Sequence, residues 1–475
     1  VDTIKEESFR DHIATINDEG KRNFIYPKKP KGKLTNQRGI VAAVLLIFIF
    51  AVPWLRINGQ PFLLLDVLGR KFIILGNVYW PQDFYLLAIS ALTGVLFVVL
   101  FTVVFGRLFC GWMCPQTIFM EHVFRRIEYW FEGDRGQQIR LSKLPWSNPE
   151  KLRKKGLKNI VFWLISFIIA NDFLMVIVGS DQWLEVVKAG PTAHWGNFVA
   201  MIVFTSVFYF VFAWFREQVC IIVCPYGRLQ GVLLDRKSVV IAYDHNRGEK
   251  RGLYKKAEDR KVADKGDCID CNQCVDVCPT GIDIRNGTQL ECINCTACID
   301  ACDTMMDKVN LPKGLIRFAS EESIAEKVPH KYSARAKAYT VVLAVLLVIT
   351  GFMLSRRTIL DATILRATGL TYIEKEGKIA NLYNFKVLNK SAEPQDLEIK
   401  LVSPKGSIEF VGTPAMHVEV GTLTQGSFFI LLDPSALTGA KTEVEIGIFA
   451  KGELVETVET NLNGPRTRTK TKKAK

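Results

Sequence analysis

The chain has 475 residues, 49% of them hydrophobic, and a formal net charge of +13. A basic excess of this size fits nucleic acid or a membrane surface. The long apolar runs decide for a membrane protein with basic flanks, with no nucleic-acid partner expected.

In chain order, residues 1–37 form a basic tail; positions 21–38 carry seven Lys or Arg and no acid. Five runs then reach the roughly 20 apolar residues that a bilayer crossing needs. They cover about 38–57, 84–108, 159–180, 197–218 and 338–355. The second run ends in "RLFCGWMCPQ", with Cys110, Cys114 and Pro115. The fourth ends in "VCIIVCPYGR", with Cys220, Cys224 and Pro225. Cysteines four apart on a helix share a face, and each Pro marks a break into the next element. Arg107 and Arg216 sit one turn before the first Cys of each pair, where a cation favours thiolate; the plain alternative is snorkelling at a helix end. After Pro115, Phe119, Val123, Ile127 and Trp130 fall on one helical face, and Glu121, Arg125, Glu128 and Glu132 on the other. That pattern predicts an amphipathic helix along the membrane surface. Asp172, inside the third run, calls for a buried partner or a water-filled cavity.

Residues 236–337 hold a charged segment, "DHNRGEKRGLYKKAEDRKVADKGD", which reads as a solvated linker, and then the strongest signal in the chain. Cys268, Cys271, Cys274 and Cys278, then Cys292, Cys295, Cys298 and Cys302, each spell C-x2-C-x2-C-x3-C. In that pattern three thiolates hold one 4Fe–4S cluster and the fourth reaches the other. One cluster is therefore expected on Cys268, Cys271, Cys274 and Cys302, and a second on Cys292, Cys295, Cys298 and Cys278. Pro279 follows the first run, but Asp303 replaces Pro after the second. Paired zinc sites would use two C-x2-C elements and do not need this crossed arrangement. None of the six His lies in an apolar run, which leaves haem b without axial ligands. No dinucleotide or Walker A fingerprint occurs, so the electron donor is not visible in the sequence.

Beyond the fifth run, residues 356–464 alternate apolar and polar between Gly, Pro and Asn/Asp turns, predicting a β-sandwich without a catalytic constellation. Its His417 reads as structural. The basic end, 465–475, reads as disordered. Lys and Arg place the tail, the 109–158 loop (ten basic residues, five acidic) and 219–337 on the cytoplasmic side, and the sandwich outside. All twelve cysteines then fall in a reducing compartment, which argues against a disulfide framework.

The combination of "NQRGIVAAVLLIFIF", both C-x3-C-P segments, the double ferredoxin motif, "RRTILDATILR" and "NLYNFKVLNKS" resembles the CcoG/FixG/RdxA family of cytochrome oxidase accessory proteins over roughly residues 35–465. Polyferredoxins of the NapH and NosR type are similar only over the C-x3-C-P helices and clusters. The resemblance implies a five-helix transmembrane bundle, an inserted dicluster ferredoxin-like domain and a C-terminal immunoglobulin-like β-sandwich in the bacterial inner membrane. It implies reduction of Cu(II) to Cu(I) for assembly of cbb3-type oxidase. Cys110, Cys114, Cys220 and Cys224 are then the catalytic and copper-binding candidates, in keeping with the affinity of soft thiolates for Cu(I). Expected partners are membrane lipid, oxidase assembly factors, a copper chaperone or copper-exporting ATPase, and an unidentified electron donor; a homo-oligomer stays open. The competing expectation is an electron-transfer subunit between a quinol pool and a reductase.

Overall fold

A computed structural model describes residues 15–465, except 17–18, 20, 68, 70, 81–82, 257–258, 261, 330, 357–359, 370, 391–392, 413–415 and 451. Residues 466–475 of the basic tail and the first fourteen residues lie outside that range. Two compact units are present, one of residues 1–54 and 88–349, the other of 55–87 and 350–475.

The first unit is organised by helices long and apolar enough to cross a bilayer. Among the described residues five qualify: Lys33–Trp54, Phe84–Phe105, Pro149–Val178, Trp195–Phe215 and Ala334–Ser355. The protein is a multi-pass membrane protein. The third helix starts ten residues before its apolar run, with Asn148 capping Glu150 N–H and Pro149 in the first turn. It packs on the fourth through a ladder of rings. Phe124 stacks on Phe212 at 4.4 Å between centroids and meets Phe162 edge-on at 4.8 Å.

The surface helix expected after Pro115 is not what forms. Residues Phe119–Phe124 make a π-turn between the helical pieces Pro115–Ile118 and Arg125–Phe131. The extra residue in that turn rotates everything after it relative to a regular 3.6-residue helix. Trp130, expected on the buried face, is 80% exposed, whereas Arg125, Glu128 and Glu132 are 2–4% exposed. These charges are inside because they are paired. Glu128 takes Arg216 at 2.6 Å and Lys158 at 3.5 Å, and Lys158 also meets Glu132 at 2.8 Å. Arg125 pairs with Glu121 at 3.2 Å. The segment is an internal strut. Asp172 is likewise buried, beside Asn171, whose Oδ1 accepts from Trp183 Nε1 at 3.1 Å.

The second unit holds two antiparallel sheets. One runs Gly406–Phe410, Leu423–Leu432, Lys378–Asn389, Leu360–Arg366, with Ile373–Lys375 also paired to Lys378–Asn389; the other runs His417–Val418, Gln395–Ser403, Lys441–Ala450, Glu453–Asn463. Alternate residues point inward, so Tyr383, Phe385, Phe428, Ile446 and Ile448 are almost fully buried. Each such side chain contributes about 1.5–3 kcal/mol of burial. Residues 55–87 add a three-stranded sheet, Leu63–Asp66, Lys71–Ile74 and Asn77–Tyr79, beyond the expected bundle, ferredoxin module and sandwich. Buried Lys390 joins this segment to the sandwich through Asp83 at 2.6 Å and Asp361 at 2.8 Å. His417 is exposed and pairs with Asp396 at 2.7 Å.

Candidate functional site

The helical turn Gln273–Asp276 carries Cys274, and the helix Ala297–Lys308 carries Cys298 and Cys302. The loops before them have matching backbones. Asp270 and Asn272 have φ of 53° and 55°, and Asn294 and Thr296, at the same offsets in the second run, have 53° and 67°. Alternation of right- and left-handed residues turns successive N–H groups toward one centre, the concavity that suits an anionic cluster. Cys268, Cys271, Cys274 and Cys302 line one cavity, together with Tyr243 and Arg285. Cys278, Cys292, Cys295 and Cys298 line another, which Cys274 also reaches.

Burial pushes the Cys274, Cys302 and Cys292 thiols up to about 12 and Cys295 to about 11. A thiol this high keeps its proton until metal displaces it, so loading these sites releases protons. The donor set is otherwise suited to 4Fe–4S: eight thiols, inward backbone N–H groups and a dry lining of Ile241, Ile282, Ile284 and Ile316.

The charged segment before Cys268 is largely exposed where it is described, and it is tied to the ferredoxin module at two points. Arg260, 8% exposed, donates to the carbonyl oxygens of Gly252, Gly266 and Cys268, and Arg247 pairs with Asp267 at 2.5 Å. Together they hold the segment entering Cys268. Arg285 fixes the same loop from the other side through Asp283, Asp270 and Asn272. A buried Arg in a charged run was the only signal available in the sequence, and composition does not distinguish it from its exposed neighbours.

The two C-x3-C-P segments fold alike. Cys114 N–H donates to Phe109 O at 3.0 Å and Cys224 N–H to Val219 O at 2.8 Å, closing one wide turn in each. Cys114 and Cys224 then leave the helix in extended conformation, and Pro115 and Pro225 open the next one at its first position. The segments also meet. Phe109 packs edge-on against Tyr226 at 6.1 Å, and Gln230 Oε1 accepts from Arg107 Nε at 2.7 Å and from Cys110 Sγ at 3.3 Å. Gly227 lies against the Cys220 carbonyl, where a Cβ would come within 2.5 Å. Burial raises Cys220 to about 12, with Cys114, Cys110 and Cys224 adding to the rise, so the four sulfurs share one electrostatic neighbourhood.

Neither arginine snorkels. Arg107, 4% exposed, donates to Gln230 and to the Leu290 carbonyl, and its charge favours thiolate at both Cys110 and Cys220 without overcoming burial. Arg216 turns away to Glu128 and is not a thiol partner.

Cys110 brings this group up against the second ferredoxin cavity. Cys110 packs with Val277, Ile293, Cys295 and Ala297, and Cys298 borders the same cluster. Trp112 Nε1 donates to Asn294 O at 3.3 Å, and Arg38 Nε to Gly111 O at 2.7 Å. Among the described residues no three His, Cys, Asp or Glu side chains converge tightly enough for one ion, in either cysteine group.

The crossed ligand assignment has a direct check. Cys302→Ser is expected to remove the cluster of Cys268, Cys271 and Cys274, about four irons, and leave the other signal intact. Cys278→Ser should do the reverse. Loss of the neighbouring cluster instead, by iron assay and low-temperature EPR, would mean each run holds its own.

The family described as "4Fe-4S dicluster domain" matches residues 215–321, and "4Fe-4S binding domain" matches 87–136. The family described as "IG-like fold at C-terminal of FixG" matches 350–465. Protein RdxB of Cereibacter sphaeroides is 34% identical, covering 86% of this chain and 89% of its own. Protein RdxA of the same organism is 34% identical over 90% and 93%. Nitrogen fixation protein FixG of Rhizobium meliloti is 30% identical over 91% and 88%. A crystal structure of a FixG-related protein from Vibrio parahaemolyticus is 22% identical, covering 22% of this chain and 97% of its own, with a TM-score of 0.19.

Proposed function

Because the chain belongs to the FixG/RdxA family of membrane-bound iron–sulfur electron-transfer proteins, we propose that it reduces Cu(II) to Cu(I) for assembly of a cbb3-type oxidase in the bacterial inner membrane. The observation that carries this is the packing of Cys110 against Ile293 and Cys295 beside the second ferredoxin cavity, with the other three C-x3-C-P thiols in the same electrostatic neighbourhood, which offers electrons a thiol-rich outlet. The clusters supply one-electron transfer when bound. Cu(II) as substrate gains that one electron, and soft sulfur ligands favour the Cu(I) product. Arg107 holds the outlet together through Gln230 and offsets its negative charge. The excess of Lys and Arg in the loops supports a cytoplasmic ferredoxin module, where a chaperone or exporting ATPase would collect Cu(I), and a periplasmic sandwich.

The quinol reading has one observation in its favour. A cavity of about 610 Å³, mostly apolar, lies between the third and fourth spans, lined by Phe167, Asn171, Trp183, His194, Met201 and Phe204 among others. Phe204 is nonetheless about 16 Å of helix, at 1.5 Å per residue, before the span ends at Phe215, and Cys220 lies beyond that end in a separate turn. That separation leaves copper at the outlet as the better reading.

The test adds Cu(II) anaerobically to the reduced protein with a Cu(I)-specific chelator present. The expected result is one Cu(I) for each electron lost from the clusters, and at least a tenfold slower reaction when Cys110, Cys114, Cys220 and Cys224 are all Ser. Wild-type clusters that stay reduced would overturn the proposal and leave the quinol reading.

A further inference from the structure

Arg38 and Arg107 are 5% and 4% exposed, and the partners that the fold gives them are uncharged. Arg38 Nε donates to Gly111 O at 2.7 Å, and its Nη2 is buried with no hydrogen-bond partner among the described residues. Arg107 donates to Gln230 Oε1 at 2.7 Å and to the Leu290 carbonyl. Among the described residues the other buried arginines are Arg125 and Arg216, which meet Glu121 and Glu128, and Arg260, which bonds carbonyls at the first ferredoxin site. A guanidinium keeps its charge when buried, and a buried charge without a counter-charge is costly. The anion that Arg38 and Arg107 answer is therefore sought outside the side chains.

Both stand at the loop that carries Cys292 and Cys295. Leu290 is two residues before Cys292, and Gly111, which Arg38 holds, lies against the backbone of Ile293 and Asn294. Arg107 is within electrostatic reach of Cys292, and Arg38 of Cys295. Glu121 also reaches Cys295, but it is taken by Arg125. The first site is built differently. Asp267, Asp270 and Asp303 adjoin its ligands Cys268, Cys271 and Cys302 in sequence, and Asp283 reaches Cys274. These carboxylates outnumber Arg247, Arg260 and Arg285, and Arg247 and Arg285 are already paired with Asp267, Asp283 and Asp270. Asp300, between Cys298 and Cys302, accepts from the Leu34 and Thr35 N–H groups and is common to both sites.

We infer that Arg38 and Arg107 are the counter-charges of the cluster expected on Cys292, Cys295, Cys298 and Cys278, and that they give it a higher reduction potential than the cluster of Cys268, Cys271, Cys274 and Cys302. A cubane on four thiolates is anionic, becomes more so on reduction, and takes its potential partly from the net charge around it. A fixed positive charge favours the reduced form, and more strongly where water is excluded. Burial opposes the more negative form, but it acts at both sites, so the difference between them falls to the charges. Cys110 packs against Cys295, so an electron on the module resides chiefly at the site that adjoins the outlet. The inference rests on the relay reading of the proposed function and adds to it an order of the two sites, set by two named residues.

The experiment is a potentiometric EPR titration with dithionite on the full-length protein, purified anaerobically and reconstituted with iron and sulfide. Cys302→Ser and Cys278→Ser identify the components of the first and second sites. The wild type should reduce the second site first. Arg38→Gln and Arg107→Gln should each lower the reduced-to-oxidised ratio of that site at a fixed potential at least tenfold, a midpoint fall of about 59 mV for one electron. The first site should change by less than about threefold, since its own charges are untouched. Arg38→Lys and Arg107→Lys keep the charge and lose the planar fork, so both should stay within about threefold of wild type. A wild-type second site level with or below the first would overturn the inference. So would Lys variants that shift as far as the Gln variants, which would make the arginines structural only. If a Gln variant fails to assemble, the wild-type order and the Lys variants decide. None of these readouts uses copper, so failure of the copper reading leaves the order measurable, and failure of the order leaves Cu(I) production measurable.

Discussion

Gly111→Ala is expected to dismantle the junction between the outlet thiols and the ferredoxin module. A Cβ at this position would stand 2.3 Å from the Ile293 carbonyl oxygen and 3.1 Å from the Asn294 carbonyl carbon and oxygen. These are backbone atoms of the loop joining Cys292 to Cys295, so no side-chain rotation relieves the clash. Overpacking commonly costs about 1–3 kcal/mol, and a collision with a fixed backbone belongs at or above the top of that range. Relief requires moving the loop, the Gly111 turn or both. The Trp112–Asn294 bond and the Arg38–Gly111 bond resist that movement on either side. The expected outcome is loss of the EPR signal of the Cys292, Cys295, Cys298 and Cys278 set, retention of the other ferredoxin signal, and a rate of Cu(II)-driven oxidation lowered by at least tenfold. Gly136→Ala is the control, since a Cβ there meets nothing within 4 Å. Wild-type iron content and melting in Gly111→Ala would mean that this contact is looser than described and that the electron outlet lies elsewhere.

The architecture was legible where one local rule decides structure. Long apolar runs gave the spans, the cysteine spacing gave the cluster type, and period-two alternation gave the sandwich. The site was less legible because its key relations are non-local or depend on one residue of register. No pattern in "CGWMCP" signals that a segment 110 residues later supplies Gln230 and Tyr226 to it. The helix after Pro115 shows the second difficulty. A hydrophobic stripe assumes a constant period, and the π-turn at Phe119–Phe124 breaks it. Glu128 and Arg125 thereby lie in the protein interior, and Trp130 lies on its outer surface. Arg216 is one turn from Cys220 in sequence, yet its side chain is committed to a carboxylate 88 residues earlier. The sheet at 63–79 escaped notice because its strands are only three or four residues long and lie between two spans. Each miss is a case where tertiary partners outweigh local pattern.

Arg216→Met is the substitution expected to cost the most stability. Arg216 is 4% exposed, bonded to Glu128 at 2.6 Å, with Glu217 at 3.9 Å. Removing one member of a buried pair leaves the other charged and uncompensated, typically at about 3–5 kcal/mol. Burial alone would raise the Glu128 carboxyl; Arg216 first, then Lys158 and Arg125, hold it down to about 2. A carboxyl whose folded pKa lies below its unfolded value stabilises the fold above the unfolded value of about 4.3, and that contribution fades as pH falls toward 2. In Arg216→Met the largest restraint is gone and the Glu128 pKa rises, so the variant becomes less sensitive to acid on this account. The melting-temperature gap between wild type and variant should therefore be widest at neutral pH and narrow as pH falls from about 4.3 toward 2. Arg216→Gly separates charge from backbone, because residue 216 sits at φ 55° between two π-turns, a conformation that glycine takes without strain. If the ion pair carries the effect, Arg216→Gly remains strongly destabilised despite the relief. The paired change Arg216→Met with Glu128→Met should recover most of the loss, since replacing a whole buried pair with packed apolar groups is often neutral. Equal destabilisation of the single and paired variants would show instead that Arg216 acts through packing alone.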